Sequence, residues 1–180
     1  MDEREKIREV VSEIVKDKLL RFLKRFCQCV KARREYGQIL DREVIEKINK
    51  AIEEKQDVDL GVIKIFFRKK FIGHKMCIEY RGETYCNDDA MTVISRLRSI
   101  YEWYRSDCDL NNILADSIEN NDFNLMTFVE RNLDKFEKIC EGELIELDTS
   151  MLDETARRGV DRAIKEYISS RSSEKAPSKA

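Results

Sequence analysis

Proline is nearly absent from these 180 residues: Pro177 is the only one, and glycine occurs six times. So few breakers leave long stretches open to helix. Histidine is just as scarce. His74, the only one, falls at an expected hairpin turn and is poorly placed to serve a catalytic triad. There is no CxxC and no HxxxH, which argues against a zinc or iron–sulfur site. GxGxxG, GxxxxGK[ST] and GxSxG are missing too, so neither a phosphate-cradling loop nor a nucleophile elbow is indicated. No apolar run approaches the roughly 18 residues that a membrane-spanning helix needs. The opening MDEREKIREV is charged and lacks the apolar centre of a secretion signal. The expectation is a cytoplasmic, non-membrane protein that is not an enzyme, with no catalytic residues, metal or cofactor.

What the chain does have is charge, sorted along its length. Charged residues make up 39% of it, against about 25% in ordinary domains. Lys16 to Arg34 holds eight basic residues and one acidic, a net +7. Gly61 to Asn87 holds six and two, a net +4, whereas Asp107 to Glu154 holds three basic and fourteen acidic, a net −11. Such blocks let a near-neutral protein show one surface to an anion and another to a cation. With 42% hydrophobic residues, the chain can still bury a core. Its length suits one compact α+β domain over 1–168, with SSRSSEKAPSKA (169–180) as a disordered tail. Abundant Lys, Glu, Arg and Ile with little Gln and His resembles a hyperthermophile composition.

Apolar spacing sketches the elements. Ile7, Val11 and Ile14 continue into Val15, Leu19, Phe22, Phe26 and Val30, which is helical spacing over 2–35 as one helix or two. Gly37 ends it, and Asp41 caps a second helix through Val44, Ile45, Ile48 and Ile52. Residues 61–87 turn to β-branched and aromatic types and read as a three-stranded antiparallel meander. Two-residue turns at Gly73-His74 and Arg81-Gly82 set a register. Phe71 then faces Met76, Lys69 faces Ile78 and Phe67 faces Tyr80; next, Glu79 faces Thr84, Ile78 faces Tyr85 and Cys77 faces Cys86. One face gathers Ile63, Ile65, Phe67, Phe71, Met76, Ile78, Tyr80 and Tyr85, with Lys69 as the exception. The apolar face requires helices against it. Further helices start at Asn87 or Asp88, Asp109, Asp122 (running through Ile139) and Thr149 or Ser150. Asn120-Asn121 break the chain between two of them. Glu143 to Asp148 alternates as a short strand or an extended connector.

Cys77 and Cys86 are candidates for a disulfide. They fall on a non-hydrogen-bonded cross-strand pair, with Cα atoms about 4.5 Å apart. Cys27 and Cys29 form a CxC on a helix, where i and i+2 point apart. Cys108 and Cys140 stand alone. A metal-dependent nuclease is the weakest functional reading. It needs Glu79 to converge with Asp57 or Asp59, yet Glu79 is expected to face Arg68 as an ordinary cross-strand ion pair.

The basic residues are the better candidates. Arg21, Lys24, Arg25, Gln28 and Lys31 lie opposite the apolar stripe of the first helix. Lys64, Arg68, Lys70 and Lys75 lie on the polar face of the sheet. Rows of Lys and Arg neutralise phosphates without reading sequence. They equally suit a solvated face, or docking on the acidic stretch 107–154 within the fold or in a second copy. The order helix, turn, helix 41–55, hairpin resembles a winged helix-turn-helix, in order only. Residues 41–55 mix both signs, which a groove-entering helix should not. The expectation is a non-catalytic interaction module: an accessory subunit or adaptor, in a nucleic-acid-handling assembly. Its partners would be a protein or a second copy of itself, with DNA or RNA as the further candidates. The alternatives are a winged-helix-like DNA-binding regulator and a structural, self-assembling protein.

Overall fold

The protein is α+β and mostly helical. The structure, a computed structural model, describes residues 2–118 and 122–175. In order, the elements are α1 (Glu3–Tyr36), a 3-10 turn (Gly37–Leu40), α2 (Arg42–Glu54), β1 (Val58–Asp59), β2 (Ile63–Lys69), β3 (His74–Tyr80), β4 (Glu83–Cys86) and α3 (Asp88–Asp107). There follow α4 (Leu110–Ser117), α5 (Phe123–Arg131), α6 (Leu133–Cys140) and α7 (Glu154–Lys175). The chain divides into two compact units: residues up to Lys31 with those from Cys108 onward, and Ala32–Asp107.

In the second unit the sheet is antiparallel in the order β1-β2-β3-β4. Its apolar face offers Ile63, Ile65 and Ile78, with Phe67, Met76, Tyr80 and Tyr85 alongside. The preceding helix packs there through Ile45, Ile48 and Ala51, the following one through Ala90, Ile94, Leu97 and Tyr101. Each large aliphatic buried this way contributes about 1.5–3 kcal/mol. Helices from both flanks therefore cover the meander, as its one-sided pattern requires. A fourth strand was not expected. Val58 pairs with Ile65 and Asp59 with Lys64, and two residues are too few to show a period of two.

The second hairpin has the expected register: Cys77 faces Cys86, Ile78 faces Tyr85 and Glu79 faces Thr84. Its turn residues have φ +51° at Arg81 and +79° at Gly82, both positive as a type I′ turn demands. Arginine tolerates this because its side chain is held: the guanidinium lies 5.2 Å from the Tyr36 ring and 5.1 Å from the Tyr80 ring. It also donates to the Glu35 carbonyl at 2.6 Å.

The first hairpin departs from expectation by four residues. Phe67 faces Met76, Ile65 faces Ile78, and Lys69 faces His74. The turn is a four-residue loop, Lys70 to Gly73, in which Lys70 N–H donates to the Gly73 carbonyl at 3.0 Å. A slip by an even number leaves every residue on its original face. Alternation was therefore blind to it, and only loop length decides. Two consequences follow. Phe71 leaves the core face for the loop tip, and Glu79 faces Lys64 rather than Arg68.

The first unit is helical. Leu19, Phe22 and Leu23 of α1 are fully buried, with Phe128, Phe136, Ile139 and Val160. The Phe136 ring meets Phe22 edge-on at 5.4 Å and Phe128 at 5.7 Å. At the approach of α7 to α1 only glycine fits: a Cβ on Gly159 would lie 2.5 Å from the Ser12 carbonyl oxygen. The single helix expected from Asp122 through Ile139 is two, split at buried Asn132. Its amide donates to the Phe128 and Asp148 carbonyls at 2.8 and 2.9 Å, while its Oδ1 accepts from Asp148 N–H at 2.9 Å. Asparagine thereby meets the backbone needs of Asp148, and 143–148 is an extended connector rather than a strand. The cap of α7 is Asp153, whose Oδ1 accepts from Ala156 N–H at 2.8 Å, not Thr149 or Ser150. That helix runs on to Lys175. Asn120-Asn121, and 176–180 of the expected tail, lie outside the described residues.

All six cysteines are paired: Cys77–Cys86, Cys27–Cys140 and Cys29–Cys108. The last two answer the puzzle of the CxC. Side chains at i and i+2 diverge around a helix, so one reaches the end of α6 and the other the start of α4.

Candidate functional site

The expected basic residues fall into two sets, one per unit. On α1, Arg21, Lys24 and Lys31 are exposed, and Arg25 is half-buried. Arg25 pairs with Asp116 of α4. Nearby, Lys18 pairs with Asp122 at 3.6 Å, and Lys16 with Glu166 at 3.2 Å. The basic and acidic blocks of the first unit thus answer each other in part, and side-chain bonds to Glu166 and Glu13 raise the Lys16 pKa.

In the second unit the picture differs. Arg68 faces Lys75 across the β2–β3 hairpin, beside Lys69 facing His74, and Lys70 opens the loop. Arg68, Lys69, Lys70 and His74 are exposed; Lys75 is half-buried. The Arg68 guanidinium sits 5.2 Å from the Phe66 ring on the same face, which directs it across the sheet. Lys64 lies further along, opposite Glu79. Three of the four expected sheet residues therefore cluster at one end of the hairpin, and Lys64 does not.

The structure adds residues that the sequence reading missed. Phe71 is 104% exposed and Ile72 84%. No other large apolar side chains are so exposed among the described residues, and both sit at the tip between the cations. Gly73, at φ +76°, closes the loop where other residues would be strained. A signal for this was present. Lys69 was the one polar residue on the apolar face, which marks the place where the hairpin outruns its core. The disulfide Cys77–Cys86 ties β3 to β4, bracing the strand that returns from the tip.

The remaining candidate groups are otherwise engaged. Asp57 Oδ1 accepts from Phe67 N–H at 2.8 Å and Asp59 Oδ1 from Gly61 N–H at 2.9 Å. The first carboxylate holds a β2 backbone group and the second the turn between β1 and β2. Among the described residues no three His, Cys, Asp or Glu side chains are grouped to hold a metal ion. An open groove of about 330 Å³ is lined by Gly61, Val62, Lys64, Glu79, Tyr80, Arg81 and Gly82. It offers one carboxylate, and its tyrosine has its pKa pushed up by burial. The outward face of α2 alternates signs, and Arg42 Nε is bonded to Glu46 at 2.9 Å. No helix among the described residues is long and apolar enough to cross a membrane.

No protein-family model, curated protein or solved structure matches the chain.

Proposed function

We propose that the protein is a non-catalytic interaction module, an accessory subunit or adaptor, that grips nucleic acid through its β2–β3 hairpin. The observation that supports this most is the tip. Four cations (Arg68, Lys69, Lys70 and Lys75) flank the loop that carries two exposed apolar side chains, Phe71 and Ile72. The cations suit phosphates. A two-stranded ribbon fits a groove, and apolar side chains wedge between base steps. Exposing Phe71 and Ile72 to water is unfavourable unless something covers them.

The reading places the protein inside a cell. Disulfides persist there chiefly in hyperthermophiles, and the Lys-, Glu-, Arg- and Ile-rich composition fits such a source. The test is binding to single- and double-stranded DNA and RNA across a salt series. Four phosphate contacts predict a slope of log affinity against log salt of about −3 to −4. No binding at low salt contradicts the reading and leaves an acidic protein surface as the hairpin's ligand.

A further inference from the structure

Beyond its core the β2–β3 hairpin is a ribbon of only two strands. β1 pairs with Lys64 and Ile65 alone, and β4 pairs no further along β3 than Cys77. The apolar cluster of the unit ends at Phe67 and Met76, which face each other. Two more rungs follow, Arg68 opposite Lys75 and Lys69 opposite His74, and then the loop from Lys70 to Gly73. At about 3.3 Å per residue, roughly 10 Å of ribbon projects past the core. Successive rungs point to opposite faces. Arg68 and Lys75 therefore leave one face, and Lys69 and His74 the other. No acidic residue occurs from Gly61 to Ile78.

We infer that this tip enters a groove of duplex DNA and wedges Phe71 and Ile72 into one base step, kinking the duplex there. The inference rests on the nucleic-acid reading of the hairpin and names the form of nucleic acid. Cations on both faces suit a ribbon that enters between two anionic walls, and the two phosphate backbones beside a groove are such walls. A flat anionic surface, or a single strand lying along the ribbon, would meet one face only. Phe71 and Ile72, 104% and 84% exposed, stand at the end of the ribbon, toward the groove floor. B-DNA grooves are about 7.5–8.5 Å deep, within the ribbon's reach. Ile72 has no ring on which an unpaired base could stack. It can, however, fill a gap between base pairs, as apolar wedges do when they kink DNA by about 20–90°. The duplex gives up stacking at that step, so a step already loosened by a mismatch is the preferred site.

The test uses the full chain and a DNA duplex of about 30 base pairs with a fluorophore at each end. Its single strand and vesicles of phosphatidylserine serve as competitors. Saturating protein should raise energy transfer between the two ends, and a central mismatch should tighten binding about tenfold. Phe71→Ser/Ile72→Ser should abolish the rise at saturation and keep the salt slope, since every cation remains. Both side chains are exposed, so the fold should be intact by circular dichroism. Arg68→Gln and Lys69→Gln should each reduce the salt slope by about one, because each face meets a phosphate wall. A duplex bound with no change in energy transfer overturns the inference and leaves the nucleic-acid reading standing. So does bending that survives Phe71→Ser/Ile72→Ser, or tighter binding of the single strand. Preference for the vesicles, or no binding of nucleic acid at all, overturns both.

Discussion

The two units differ in how their charges and cysteines are spent. In the first, opposite charge blocks meet within the unit, at Arg25–Asp116 and Lys18–Asp122, and two disulfides span 113 and 79 residues. In the second, cations gather at a hairpin tip whose core has already ended, and the disulfide spans nine residues. A charged face that finds its counter-ions inside the fold stabilises. One that projects past the core, with apolar side chains beside it, is available to a ligand. Sequence charge alone does not separate the two cases, because Arg25 and Lys70 look alike until partners are known.

The sharpest way to break the comparison is through the disulfides. Closing loops of 113 and 79 residues stabilises by about 4–5 kcal/mol each in the loop-entropy picture, against about 2–3 for the short hairpin loop. Cys27→Ser/Cys140→Ser should therefore lower the denaturant midpoint far more than Cys77→Ser/Cys86→Ser. Equal losses would mean that the first unit does not depend on its long-range links. Next in size, Phe136→Ala removes the ring on which Phe22 and Phe128 converge, and about 3–5 kcal/mol is expected in chemical unfolding.

Asn132→Ala should cost about 1–3 kcal/mol, because it strands buried backbone groups. Amide exchange at Asp148 should rise with it, and unchanged protection there would show that the amide is not what holds the connector. Gly82→Ala, at φ +79°, should cost about 1–2 kcal/mol through backbone strain in the hairpin turn. The smallest effect is that of acid. Bonds from the Ser150 side chain and backbone lower the Asp148 pKa, and the Arg162 guanidinium lowers that of Glu9. Groups with depressed folded pKa values add stability above the ordinary carboxylate range and lose it as pH falls through their folded values. A stability–pH curve should decline there, and Arg162→Gln should flatten the part due to Glu9.

Much of this was legible in the sequence. Alternation revealed the meander and its buried face, and Arg81-Gly82 fixed the second register and with it Cys77–Cys86. The first register was not legible, because a four-residue slip keeps every residue on its face. That slip hid the tip, since it decides whether Phe71 is core or solvent. Asn132 was equally hidden: asparagine within a helical pattern does not announce that its amide will bond a distant connector. The pairing of Cys27 and Cys29 depended on tertiary contacts that no spacing encodes. The basic residues of α1 and of the hairpin were both found, but not their different surroundings.

The most direct test of the account compares the two basic surfaces on one ligand. Binding of duplex DNA would be measured for Arg68→Glu/Lys70→Glu, for Phe71→Ser/Ile72→Ser, and for Arg21→Glu/Lys24→Glu. The account predicts that the first weakens binding and reduces the salt slope by about two. The second should weaken binding with the slope intact, and the helix variant should bind as wild type. A helix variant that loses binding while both hairpin variants keep it would contradict the account.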